Sequence, residues 1–243
     1  MGTRRHPKRD KQIARIADIL KQQKTKHIDP DMLFGHVSAD DVLTFRPEAL
    51  AATCVHAREQ IEQWEEGKTL IQVGPVNGVD LAGRALTVVT VIDRNMPFLF
   101  DSIMGEISTA HRDISLAAHP VLNIQQTDAG AIKDIDLAVA GQSDEGWHKV
   151  SLVMVLLPRL SAEATRLLKA NLRKVLDHVH RAVSDWRTML GKLDSVVAEL
   201  QSSGGSQHLA EREEALAFLE WLRNDNFTFL GMREYKFSGT GKD

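Results

Sequence analysis

From Ser161 to Gln201 apolar residues recur at steps of three and four: Leu168, Leu172, Val175, Val179, Val183, Trp186, Leu190, Leu193, Val197 and Leu200. This spacing places them on one face of a helix. Pro158 ends the preceding segment and Ser161 is a candidate cap. The extra four-step at Val175, Val179 and Val183 shifts the stripe locally toward an eleven-residue period. A helix over 161–201 is roughly 60 Å long, whereas a typical strand is roughly 20 Å. A small sheet cannot cover such a stripe. The helix must break, most plausibly at Gly191, or run on and pack against another helix of its own chain or of a partner. The seam expected at that contact comprises Val183, Trp186, Leu190, Leu193 and Val197.

The segment before this helix reads as a sheet. "RALTVVTVI" (84–92) and "WHKVSLVMVLL" (147–157) are rich in β-branched residues and nearly continuous in hydrophobicity, as strands inside a sheet are. "DISLAAHPVLNI" (113–124) is a further strand, and "DIDLAVA" (134–140) a short hairpin strand within a polar stretch. Leu99, Phe100, Ile103, Met104, Ile107 and Ala110 give a helix with a clean polar face. "PVNGVDLAG" (75–83) reads as a turn-rich connector. With the short hairpin strand set aside, the order is β-α-β-β-α, the start of a ferredoxin-like split unit: an antiparallel sheet with both helices on one face. The fold class is therefore α+β, with buried positions expected at Val89, Val91, Leu99, Ile103, Leu116, Leu152, Met154, Leu168 and Val175.

Residues 1–70 read as helical. Ile13, Ile16, Ala17 and Leu20 share one face, and Lys8, Arg9, Lys11 and Arg15 surround it. These basic residues fit a solvated helix docked on its own protein better than an anionic partner. In "RPEALAATCVHAREQIEQWEEG", Pro47 fits a first helical turn and Gly67 the position after a helix end. Leu50, Cys54, Ala57 or Arg58, Ile61 and Trp64 form its apolar stripe, so Cys54 is expected in the core. After "SSGGS" (202–206), Glu211–Asn224 reads as a helix with Ala215, Phe218, Leu219 and Leu222 inward. "NFTFLGMREYKF" (226–237) then reads as an alternating strand. With nothing after it to complete a sheet, that strand suggests a piece of a longer polypeptide. Three regions result: 1–70 helical, 71–202 a mixed domain with the long helix, and 207–243 the beginning of a further domain.

Several function classes are excluded. Net charge is −3 over 243 residues, which implies no general affinity for nucleic acid. The longest apolar stretches fall far short of the roughly 20 residues of a membrane helix, so no membrane partner is expected. The basic N-terminus has no long apolar segment or cleavage site. One cysteine makes neither an internal disulfide nor a zinc cluster, and a reducing, cytoplasmic setting fits. No glycine fingerprint for a dinucleotide and no nucleophile elbow is present. "GKT" (67–69) has Glu62 where a phosphate loop needs glycine, and "HRD" (111–113) lacks the other kinase motifs. His178 and His180 are separated by about 200° around a helix and cannot chelate one metal. His119 reads as a hydrogen-bonded structural residue. No catalytic or metal-ligating residue is assigned.

The stretch "VIDRNMPFLFDSI" (91–103) carries the candidate site. A strand ends there and a helix begins. The first helical N–H groups lack intrahelical acceptors and carry partial positive charge. Asp93 or Asn95 could cap them, with Pro97 in the first turn and Phe98 and Leu99 as anchors. A ligand carboxylate could use the same donors, with Arg94 pairing in bidentate fashion.

"TVVTVIDRNMPFLFDSI" (87–103) resembles the "DDMPFLVDS" segment near the N-terminus of the large NAD-specific glutamate dehydrogenases of bacteria. "AHPVL" (118–122), "LRKVLDHVHRAVSDWRTM" (172–189) and "FLEWLRNDNFTFLGMREYKF" (218–237) resemble further segments of that family, in the same order and spacing over about 84–237. Arg94-Asn95 departs from the family's usual acidic residues, and "DEGWHKVSLVMV" from its usual third-strand opening. The resemblance implies an ACT-type regulatory domain with no catalytic site of its own. It places a possible amino-acid effector at Asp93, Arg94, Asn95, Met96 and Phe98. It also implies NAD as cofactor in the full-length enzyme but none in this region, and a homo-oligomer. The alternative is a free-standing ACT-like interaction module that dimerises through its long helix.

Overall fold

A computed structural model describes residues 6–110, 113–127, 130–138, 146–202 and 209–235. The start of the HRD tripeptide, the end of the expected hairpin strand at 139–140, the glycine stretch at 203–206 and the tail from 236 lie outside the described residues. The chain forms two compact units, Met1–Leu176 and Asp177–Asp243.

The first unit begins with helices α1 (Pro7–Gln23), α2 (Pro30–Phe34), α3 (Ala39–Thr44) and α4 (Pro47–Gln63). Proline opens α1, α2 and α4, where its missing N–H costs nothing. Ile13, Ile16 and Leu20 of α1 are buried, as are Leu50, Cys54, Ala57 and Ile61 of α4 and Trp64 just beyond it. Ala57 therefore completes the α4 stripe, and Arg58 instead bonds Glu62 at 3.1 Å. Arg9 corrects the expected solvated basic face. It is buried, and its guanidinium donates to the Val37 carbonyl at 3.3 Å.

The strands are β1 (Leu70–Leu81), β2 (Arg84–Arg94), β3 (Leu116–Ala118), β4 (Val121–Gln126), β5 (Ile132–Leu137) and β6 (Trp147–Pro158). Helix α5 (Leu99–Ala110) follows β2, and α6 (Ala162–Ser202) follows β6. The sheet order is β1-β2-β6-β4-β5, with β3 also on β6, and all pairs are antiparallel. Placing β6 between β2 and β4 gives the split arrangement expected from the order of elements. The single strand expected at 113–124 is β3 plus β4. Both pair with β6 in one unbroken register, from Leu116↔Leu156 to Gln125↔Trp147. The interruption falls at His119-Pro120, where proline has no N–H to donate, although its carbonyl still accepts from Leu152 at 3.0 Å.

The connector expected at 75–83 is a strand. Pro75 and Gly78 look like turn residues, yet they sit on the outer strand β1, where a missing ladder donor is tolerated. The register shifts between Pro75 and Asp80, a bulge, and the hairpin closes through Ala82 and Gly83 at positive φ. Gly78 lies at φ +79, and a side chain there would press on Ala52 of α4. β1 fills the sheet edge beside β2.

β2 and β6 are buried on both faces, which explains their continuous hydrophobicity. Leu86, Val88, Ile92, Leu152, Met154 and Leu156 join the N-terminal helices in one core cluster. Alternation turns Thr87, Val89, Val91, Ser151, Val153 and Val155 to the other face. There Thr87 accepts the amide of Leu160, just before α6, at 2.9 Å. Leu99, Ile103 and Ile107 of α5 and Leu168, Leu172 and Leu176 of α6 are buried. Asn171 on α6 donates to Glu106 on α5 at 2.8 Å. Eight of the nine expected core positions are buried. Val175 is half-buried, and Leu176 takes the inward place.

Ser161 caps α6 by accepting from Ala164 at 3.1 Å. The helix runs unbroken through Gly191, so of the two alternatives, a break there or a helix that runs on, the second holds. The second unit holds the rest of α6, then α7 (Leu209–Trp221) and a π turn over Leu222–Asn226. Ion pairs Lys192–Glu234 (3.2 Å) and Arg223–Asp194 (3.4 Å) tie the later segments to α6. The inward position expected for Phe218 and the strand expected from 226 are both overturned. Phe218 is exposed, and residues 227–235 form no strand. A strand needs a neighbouring edge to pair its backbone groups, and the described residues of this unit offer none.

Candidate functional site

The end of β2 is built from polar groups that the sheet itself satisfies. Asp93 is buried. Its carboxylate accepts from the Thr69 hydroxyl at 2.6 Å and from the Arg94 amide at 2.8 Å. The Asn95 amide donates to the Lys149 carbonyl at 2.9 Å, which carries the β2–β6 ladder one residue past the strand. The Asn95 side-chain oxygen accepts from Ser151 at 2.9 Å. Asp93 and Asn95 are thus tied to the sheet, not set over the start of α5 as expected caps. The helix begins only at Leu99, and the Phe98 carbonyl accepts the Ser102 amide.

Behind Asn95 lies a chain of contacts in which His119 is the hydrogen-bonded structural residue expected from sequence, while its partners Ser151 and Phe100 were missed. Ser151 is fully buried, and His119 Nε2 lies 3.2 Å from its hydroxyl. Because the Ser151 proton goes to Asn95, the ring nitrogen facing Ser151 must be the donor. The His119 ring stacks on Phe100 of α5, with centroids 4.6 Å apart and planes 5° off parallel. Burial lowers the His119 pKa, and Asp101 partly offsets this, so the imidazole is neutral near pH 7. The signal in the sequence was Ser151, a lone polar residue in an otherwise apolar run that must find a partner when buried.

The remaining expected site residues divide. Met96 is buried. Arg94 is exposed and makes no ion pair among the described residues. Phe98 sits at φ +65, a left-handed conformation that costs a bulky residue roughly 1–2 kcal/mol. Its side chain is 43% exposed. Such strain at an exposed aromatic between strand and helix is characteristic of functional turns. Arg94 closes β2 and α5 opens at Leu99, so a cation and a helix start flank the turn. The turn carries no glycine, so its backbone cannot approach a pyrophosphate as a dinucleotide loop does. NAD does not fit the residues present here. No group of three or more His, Cys, Asp or Glu among the described residues is placed to hold a metal ion. Burial pushes the Cys54 thiol up, away from reactive thiolate character.

The five seam positions also divide. Leu193 and Val197 are buried within the single chain, Val183 and Leu190 are half-buried, and Trp186 is exposed. Met189 takes the inward place next to Trp186. No helix among the described residues is long and apolar enough to cross a membrane.

The sequence matches the family model described as glutamate dehydrogenase, ACT1 domain, over residues 31–172. It is 32% identical over 227 residues to the NAD-specific glutamate dehydrogenase of Halomonas elongata, an alignment covering 91% of this chain and 14% of that protein. It is 24% identical over 207 residues to that of Pseudomonas aeruginosa, covering 84% of this chain and 13% of the relative. A third match, to the enzyme of that name in Mycobacterium tuberculosis, is 29% identical over 116 residues, covering 46% of this chain and 7% of the relative. No solved structure matches. The chain thus spans 14% and 13% of the length of the first two relatives. With the family match covering more than half of the chain, and with the split antiparallel sheet in place, the chain belongs to the glutamate dehydrogenase ACT1 domain family.

Proposed function

We propose that this chain is the non-catalytic regulatory and assembly region of a longer NAD-dependent glutamate dehydrogenase. The parent oxidises L-glutamate to 2-oxoglutarate and ammonia with NAD, on a catalytic core outside these residues, in the cytoplasm and as a homo-oligomer. The family match over residues 31–172 carries this reading, because the first two relatives it aligns with are each several times longer. Within the region, an amino-acid effector binds at the β2–α5 turn. Its carboxylate pairs with Arg94 near the first amides of α5, and Phe98 closes over it.

Thermal-shift titration of the chain against single amino acids tests the sensing step. One amino acid is expected to raise Tm, and Arg94→Ala to abolish the rise; a flat response across all of them defeats it. Incubated with glutamate and NAD, the chain alone produces no NADH. A second reading is supported by exposed Trp186 and half-buried Val183 and Leu190 on α6: a free-standing module that dimerises through this helix. The mass of the polypeptide in its native source separates the two. A species no larger than this chain supports the module, and a several-fold larger one supports the dehydrogenase.

A further inference from the structure

On the sheet face opposite the β2–α5 turn, a cleft of about 510 Å³ opens between α4, the segment after α1, and the first half of β1. Volumes of this size accept small organic ligands. Its floor includes two polar side chains that are more than nine-tenths buried. Gln60 is 7% exposed, and its amide makes no hydrogen bond among the described residues. His56 is 8% exposed and spends one ring nitrogen on the Thr90 hydroxyl, at 3.0 Å; the other has no partner among the described residues. The free polar atoms of both residues open on the cleft and are not sealed into the core. An amide held in place at the wall of a cleft, bonded to no protein group, keeps its donor and acceptor for water or for a ligand that displaces it. Helix spacing puts His56 and Gln60 one turn apart on the same face of α4, so the two act on one occupant.

The charge of the lining selects the ligand class. Among the described residues no lysine or arginine lines the cleft, and the only formal charge is Glu59 at the rim. Burial lowers the His56 pKa to about 4, which keeps the ring neutral. Phosphates and free carboxylates would enter an uncharged-to-acidic site with nothing to neutralise them. A primary amide fits instead, since it offers donor and acceptor together. The Gln60 amide returns both, the remaining His56 ring nitrogen supplies one donor or one acceptor, and Glu59 accepts a remaining N–H. Ala52, Val55, Pro75 and Val76 supply apolar walls.

We propose that the cleft between α4 and β1 binds a small uncharged primary carboxamide, held by Gln60 and His56. This is a second ligand site, independent of the β2–α5 turn. The test is an NMR titration of the full chain with isobutyramide and, in parallel, with isobutyrate, which has the same shape and a negative charge. Isobutyramide is expected to shift the Gln60 side-chain amide and His56 ring signals saturably, and isobutyrate to leave them unmoved. Gln60→Leu is expected to weaken isobutyramide binding about tenfold or more. The same variant is expected to keep the parent's cooperative thermal unfolding in the absence of ligand, so loss of binding is not confused with loss of fold. Equal binding of isobutyrate, undiminished binding in Gln60→Leu, or no saturable shift with isobutyramide (the cleft holding water only) each overturns the proposal.

Discussion

In the first compact unit most large apolar side chains are inside, and in the second many are not. Phe34, Ile92, Leu99, Ile103 and Ile107 have almost no exposed surface. Phe218, Trp221, Leu230 and Tyr235 are 49% to 73% exposed. The first unit owns a sheet whose central strands are covered on both faces, and each helix laid on it buries an apolar stripe. The second has helices and an irregular segment, with no strand among its described residues. A helix pair alone shields one stripe per helix, and aromatic residues off that stripe stay in water. Stability should therefore be concentrated in the first unit, while the second presents apolar surface of the kind that marks contact sites.

Four measurements can break or sharpen this contrast. Leu99→Ala opens a hole beneath α5 and is expected to cost about 2–5 kcal/mol in urea unfolding. A loss below about 1 kcal/mol would mean that α5 is not seated as described.

The pH dependence of the first unit comes next. His56 has a folded pKa of about 4 against 6.5 unfolded. Its contribution is full above pH 6.5 and is lost as pH falls toward 4, because the unfolded chain then binds a proton that the folded one refuses. The loss is on the order of 3 kcal/mol. The lowered His119 acts with the same sign. His56→Gln should flatten most of this slope, and an unchanged slope would show that His56 is not held neutral.

In the second unit, Gly191 lies inside α6 with open space where a side chain would begin. Gly191→Ala is expected to stabilise by about 0.5–1 kcal/mol, since alanine is the better helix former. Destabilisation would mean that the helix bends there after all. The smallest effect belongs to Phe218→Ser, expected within about 0.5 kcal/mol of the parent, because an exposed ring loses little on replacement. A cost above about 1 kcal/mol would show that the ring is packed and that the two units are more alike than described.

Much of the first unit was legible from local pattern. The β-branched runs at 84–92 and 147–157, the three-and-four spacing of α4 and α5, and the Ser161 cap are statements about residues near one another in sequence. The second unit was less legible, since "NFTFLGMREYKF" alternates like a strand. Alternation sets which side a residue would face only if a neighbouring edge exists to pair with.

What the sequence determined by itself was the type of most elements, the order β-α-β-β-α, and the family resemblance carried by the β2–α5 turn. Tertiary structure alone decided that the proline- and glycine-bearing stretch at 75–81 is a strand, because an edge tolerates what a central strand does not. It decided that Asp93 and Asn95 serve the sheet instead of the helix start, and that Ser151, His119 and Phe100 line up behind them. It also decided that Gln60 and His56 face a cleft instead of closed protein. Periodicity is set by backbone geometry over a few residues, whereas the partner of a polar group is set by which distant strand or helix arrives beside it, and no local pattern records that arrival.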